Sequence, residues 1–227
     1  MRCARIYPLG LLVGLQCFCS LCAFGQEGER KFPIAEISFG YSYLHTDTKW
    51  LDTNTLAQQC ASGGTCPFTL VVHPGFNGWY LAPQINFRHW YGIKMQISGQ
   101  YGRVVHAKSN STSASLSFPQ LHAYDVLFGG VVSRRARRYT LFAHGLIGLE
   151  NFGLASSQVN GSSLSFYPSN STSDTAFDFG GGVDLKLWKF LAVRAGQLDY
   201  QFVNTENYSH LSDWRYSGGM VIILGGK

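Results

Sequence analysis

Charge is what this chain has least of. Only 14% of its 227 residues are Asp, Glu, Lys or Arg, against roughly 25% in soluble domains. No glycine-rich phosphate loop, paired-cysteine motif or cluster of metal ligands occurs anywhere, so no cofactor and no metal is expected. The charge balance is too mild to imply nucleic acid. Setting aside Arg2 and Arg5, which belong to a leader described below, the excess of 18 basic over 13 acidic residues falls from +5 to +3.

What takes the place of charge is aromatic and small. Phe, Trp and Tyr make up 15%, and there are 26 glycines. That composition suits a barrel whose outer face meets lipid, and it also occurs in soluble all-β domains. Residues 1–25 read as a secretion signal. Arg2 and Arg5 give the positive start, Ile6 to Phe18 the apolar stretch, and Ala23-Phe24-Gly25 a cleavage site before Gln26. The mature domain would then be residues 26–227. Of the six cysteines, Cys3, Cys17, Cys19 and Cys22 leave with the leader. Cys60 and Cys66, flanking Gly63 and Gly64, read as a disulfide in an exported loop.

The informative pattern is alternation. Segments of about ten residues place apolar side chains on one face and polar or small ones on the other, which is the strand period. In the first, residues 34–44, Ile37, Phe39, Tyr41 and Tyr43 oppose Glu36, Ser38, Gly40 and Ser42. Further strands are expected over 78–87, 92–102, 121–133, 139–150, 175–187, 191–200 and 214–224. Pro83 predicts a bulge or irregularity in the second, because it removes a ladder donor. Tight turns at 88–91, 134–138 and 188–190 alternate with long polar loops at 45–77, 103–120, 151–174 and 201–213. Eight such strands, tilted, span the roughly 25 Å apolar band of an outer membrane. Trp79, Trp90, Trp188 and Trp214 fall at strand ends, where interfacial rings belong.

The stretch AFDFGGGVDLKLWKFLAVRAGQLDY, Ala176 to Tyr200, resembles the small bacterial outer-membrane β-barrel family, the OmpA/OmpX-like group. The matching elements are Gly180-Gly181-Gly182, Asp184, Arg194 and Asp199-Tyr200. AEISFGYSYL at Ala35 and TLFAHGLIG at Thr140 are similar too. The resemblance implies an all-β fold, one eight-stranded antiparallel up-and-down transmembrane barrel with both termini in the periplasm of a Gram-negative type bacterium. The peptidoglycan-binding role of the family's larger relatives is not expected here, because no such domain follows the eighth strand. Ser217, Gly219, Ile222 and Leu224 are similar to the signal read by the barrel assembly machinery.

The chemistry on offer is sparse. His210, Ser212 and Asp213 are the one His/Ser/carboxylate set to weigh for a lipid-modifying enzyme, and a solvated loop is the simpler reading. His144 is expected on an inner face as a hydrogen-bonded histidine. Arg134, Arg135, Arg137 and Arg138 form a basic turn, for which solvent is a simpler partner than anionic head groups. The inner faces carry Glu36, Lys94, Asp178, Asp184, Lys186, Arg194 and Arg215, charges of both signs. Buried unpaired, each would cost several kcal/mol, so a mutually paired network that plugs the lumen is expected. Arg194 is expected beside Asp184, Asp178 or Glu36. The resulting expectation is a non-enzymatic, monomeric barrel with four surface loops and a structural, adhesive or interactive role. Its partners would be outer-membrane lipids, the assembly machinery and a surface partner. A narrow channel or transporter is the alternative. A lipid-modifying barrel enzyme and a secreted lipocalin-type barrel stand behind it.

Overall fold

A computed structural model of the chain describes residues 32–46, 68–72, 74–102, 105–109, 115–117, 121–154, 172–205 and 208–225. The leader and Cys60 and Cys66 lie outside the described residues. Eleven strands run in order: β1 (Ala35–His45), β2 (Phe68–Val72), β3 (Gly75–Asn86), β4 (Tyr91–Gly102), β5 (Val105–Ser109), β6 (Ser115–Ser117), β7 (Leu121–Arg135), β8 (Tyr139–Leu154), β9 (Thr172–Lys186), β10 (Leu191–Thr205) and β11 (Tyr208–Leu224). Eight of them close a barrel in the order β1-β11-β10-β9-β8-β7-β4-β3, and every pairing is antiparallel. Closure leaves no open edge, so the wall satisfies its own backbone donors and acceptors, as a lipid environment demands.

The polarity is inverted relative to a water-soluble barrel. Phe128, Leu149, Phe179 and Leu198 face outward, each more than half exposed, while Lys94, Gln96, Ser98, Asp178 and Arg215 face inward, none exposed by more than 1%. Left in water, each such apolar side chain would forgo ~1.5–3 kcal/mol of burial; a bilayer supplies the missing apolar partner. In β4, Tyr91 and Tyr101 both face outward, one at each end of the strand. The ten-residue rise between them, at ~3.3 Å each and a tilt near 45°, matches the roughly 25 Å apolar band. Aromatic rings collect at both ends of this band: Phe87, Trp90 and Trp188 near the tight turns, Trp79, Tyr200 and Trp214 near the other end.

Two expectations change. The strands run further toward the loop end than their outward apolar faces suggest, and 201–213 is no loop. Thr205 pairs with Tyr208, so β10 and β11 form one long hairpin. Three longer connections therefore remain, not four. Within the first two of them β2, β5 and β6 form a separate three-stranded sheet. Finally, Pro83 gives the expected irregularity and no bulge: Ala82 and Pro83 have no partners in the β3–β4 ladder. It sits opposite Ile37 in an unbroken β1 register, and pairing with β4 resumes in the same register at Gln84↔Lys94. The register shift lies in β10, between Arg194 and Gly196 against β9 and between Arg194 and Gln197 against β11.

The loop-end extension obeys the opposite polarity rule. There Leu44, Phe76, Leu121 and Val203 are buried inside, while His45, Asn77 and Asn204 are exposed. Val203 packs with Leu127, Leu146 and Ala176 in an apolar cluster. Polar side chains share that interior, Thr46, Gln201 and Asp213 among them.

Candidate functional site

Side chains from six strands meet in the lumen around Arg215. Its strand, β11, stands four places from β7 in the eight-strand ring, so the two are diametrically opposed. From that position the guanidinium of Arg215 donates from Nη1 to Asp125 Oδ2 on β7 at 2.5 Å and from Nε to Asp199 Oδ2 on β10 at 3.1 Å. Its Nη2 donates to Asp178 Oδ2 on β9. One planar fork thus holds three carboxylates, a geometry that suits Arg and not Lys.

Around this hub the neighbours are bonded to the carboxylates and to one another. Ser98 Oγ donates to Asp125 Oδ2 at 2.6 Å, and Gln100 Nε2 donates to Ser98 Oγ at 2.6 Å. His144 Nε2 lies 3.1 Å from Asp178 Oδ1 and 3.3 Å from Asp199 Oδ1, while its Nδ1 lies 3.4 Å from Lys94 Nζ. With a proton on Nε2 the ring donates to Asp178 Oδ1, and Nδ1 is left to accept from Lys94 Nζ. A second diametral link joins β4 to β10: Lys94 Nζ donates to Gln197 Oε1 at 3.3 Å, and Gln197 Nε2 donates to Gln96 Oε1 at 3.1 Å and to Asp199 Oδ2 at 2.7 Å.

Toward the tight turns a separate pair takes over. Arg194 grips Asp184 with two parallel bonds, Nε to Oδ1 at 2.8 Å and Nη2 to Oδ2 at 3.1 Å, and donates from Nη1 to Gln197 Oε1 at 2.7 Å. Its guanidinium lies 4.3 Å from the Phe142 ring centroid, within cation–π reach. Lower still, Arg135 Nη2 bonds Glu36 Oε1 at 3.0 Å.

The seven residues expected in the lumen thus divide. Asp178, Arg215 and Lys94 belong to the hub, and Arg194 and Asp184 form the pair below it. Glu36 is held at the turn end by Arg135. Lys186 lies apart, its Nζ donating to Ala136 O at 3.1 Å. Asp199 escapes a strict alternation reading of the sequence, whereas Asp125 follows it and is missing from the expected set only because its position between outward residues went unused. Without the shift around Ala195 and Gly196, an alternation starting at Arg194 puts Asp199 on the lipid face. The clue was Gly196 together with a carboxylate that no lipid face tolerates. For Asp125 the clue was simpler: it lies between Tyr124 and Val126, which face outward.

Two chemistries do not fit. His144 Nε2 and the Oδ1 atoms of Asp178 and Asp199 lie within 4.8 Å of one another, but the other oxygens of both carboxylates are already held by the guanidinium of Arg215, whose positive charge a metal there would face. The His210, Ser212 and Asp213 set lies on strand β11, not in a loop. Consecutive strand residues point to opposite faces, so Asp213, which is buried, cannot share a site with Ser212.

No known protein-family description matches the sequence, and no curated protein matches it. Among solved structures, Ail, the attachment invasion locus protein of Yersinia pestis, is 16% identical over 84% of this chain and 99% of its own, with a TM-score of 0.49. Neisserial surface protein A is 8% identical over 86% of this chain and 99% of its own, also at 0.49. The outer membrane protein OprG from Pseudomonas aeruginosa is 11% identical over 87% and 98%, at 0.46. At such identities and scores, the fold assignment rests on the strand pairing of this chain itself.

Proposed function

We propose that the protein is a non-enzymatic barrel of the outer membrane that keeps its lumen closed and acts through its structure and its loop-end surface. The role is membrane integrity, adhesion or the binding of a surface partner, with the three longer connections, 46–74, 103–120 and 155–171, as the contact surface. The protein works as a monomer and reaches the membrane through the barrel assembly machinery. The observation that carries the proposal is the span of Arg215 from β11 to Asp125 on the opposite wall. A barrel of eight strands is just wide enough for side chains to fill it, and a paired charge crossing its full width supports a closed lumen. The buried apolar side chains Leu44, Phe76 and Leu121 narrow it further at the loop end.

A narrow polar path is the second reading. Gln96 Nε2, Gln100 Oε1 and Gln201 Oε1 are buried without a hydrogen-bond partner among the described residues, and such atoms are where water enters. The two readings separate in a swelling assay on proteoliposomes. The closed barrel resists carbonate extraction, shifts on a gel when heated, and admits no small sugar or amino acid. Swelling at rates above empty liposomes would favour the path. Release by carbonate would remove the membrane reading altogether.

A further inference from the structure

The three tight turns carry a net positive collar that the lumen does not consume. Arg135 and Lys186 are committed, the first to Glu36 and the second to the Ala136 carbonyl. Arg88, Arg134, Arg137, Arg138 and Lys189 come from all three turns, and none has a carboxylate partner among the described residues. The only acidic residues at this end among the described residues are Glu36 and Asp184, and both are already bonded to arginines. Depth matters as much as number. Arg134 is exposed, pairs with the outward Leu141, and stands one outward step beyond Val132 in β7, so it continues the lipid-facing row. Lys189 lies between Trp188 and Phe190, whose exposed rings stack 6.4 Å apart. Rings of this kind mark the head-group level, which places these cations at the depth of lipid phosphates.

We propose that this collar binds anionic phospholipids of the leaflet that meets the tight turns, with the arginine forks on the head-group phosphates. A free solvated turn has no need of cations on the lipid-facing row. The inference rests on the membrane-barrel reading above, and the test keeps the two apart. Spin-labelled phosphatidylglycerol and phosphatidylcholine are compared as probes of the lipid shell around the protein in phosphatidylcholine bilayers. A single basic side chain at a charged surface supplies a preference of roughly fivefold; diluted by the opposite leaflet, about threefold is expected for phosphatidylglycerol. The preference falls to near unity in the variant R88Q/R134Q/R137Q/R138Q/K189Q, which spares Arg135 and Lys186. It also falls in the parent at 1 M salt, where the screening length is ~3 Å, and it survives millimolar inorganic phosphate at constant ionic strength. Equal association of both probes with the parent overturns the proposal, as does an unchanged preference in the variant. Loss of the preference to inorganic phosphate overturns it in favour of a free-anion site. The heat shift of each protein on a gel reports folding independently. If the five-site variant does not fold, R134Q/K189Q and the salt series decide between the same outcomes. Failure of the parent to insert would instead condemn the barrel reading.

Discussion

Replacing Arg215 by Ala removes one side chain and leaves three buried carboxylates without their shared cation. Asp125, Asp178 and Asp199 are each no more than 3% exposed. Their remaining donors are Ser98, His144 and Gln197, of which none carries the fixed charge of a guanidinium. Breaking one buried pair by deleting a partner costs about 3–5 kcal/mol. Three pairs share one fork, so their losses are not additive, and the prediction is a cost at or above the top of that range. Adding Asp125→Asn removes one of the stranded charges. It should return ~0.5–3 kcal/mol, the range found for residues in direct contact. Urea titration of the reconstituted protein, read by the heat-shifted gel band, measures both variants. A loss below ~1 kcal/mol, the value of an exposed pair, would refute the reasoning and mean that water, not Arg215, solvates these carboxylates.

Glycine spacing gives a sharper contrast. A Cβ at Gly180 would lie 2.0 Å from Asp199 Oδ1 and 2.7 Å from Leu198 O, whereas at Gly130 the nearest atom is 3.9 Å away. Gly180→Ala should therefore block assembly or displace Asp199, while Gly130→Ala should fold with an unchanged urea midpoint. Cys60 and Cys66 should resist alkylation in protein from an oxidising compartment until reduced, and Cys60→Ala should leave the barrel's heat shift intact. Mass spectrometry of the exported protein should find Gln26 at its N-terminus, and retention of residues 1–25 would count against the leader.

The alternation of residues such as Phe39, Tyr41 and Tyr43 against Ser38 and Ser42 made the wall readable, because lipid imposes one polarity on every spanning strand. The same rule hid what lies beyond the lipid. At Val203 and Asn204 the greasy residue faces in and the polar one out, so a search for outward apolar faces ends near Tyr200 and mistakes the rest of the hairpin for a loop. Arg194 and Asp184 were readable as partners because they face each other directly across β10 and β9. Arg215 and Asp125 were not, since they are 90 residues apart and meet only across the lumen. Asp199 was concealed by the shift at Ala195 and Gly196, a one-residue event that sends every later side chain to the other face. Pro83 was readable in part: the ladder to β4 lapses at Ala82 and Pro83, as a missing donor requires. It occupies a ladder position without disturbing the register on either side.

The central claim is that charge pairs spanning the lumen close it. Single-channel recording in planar bilayers tests this most directly, with the parent and Arg215→Ala measured side by side. The account predicts no steady conductance for the parent and the appearance of discrete openings in Arg215→Ala, where the bond from β11 to the opposite wall is gone. A large, stable conductance in the parent, unchanged by the substitution, would contradict it.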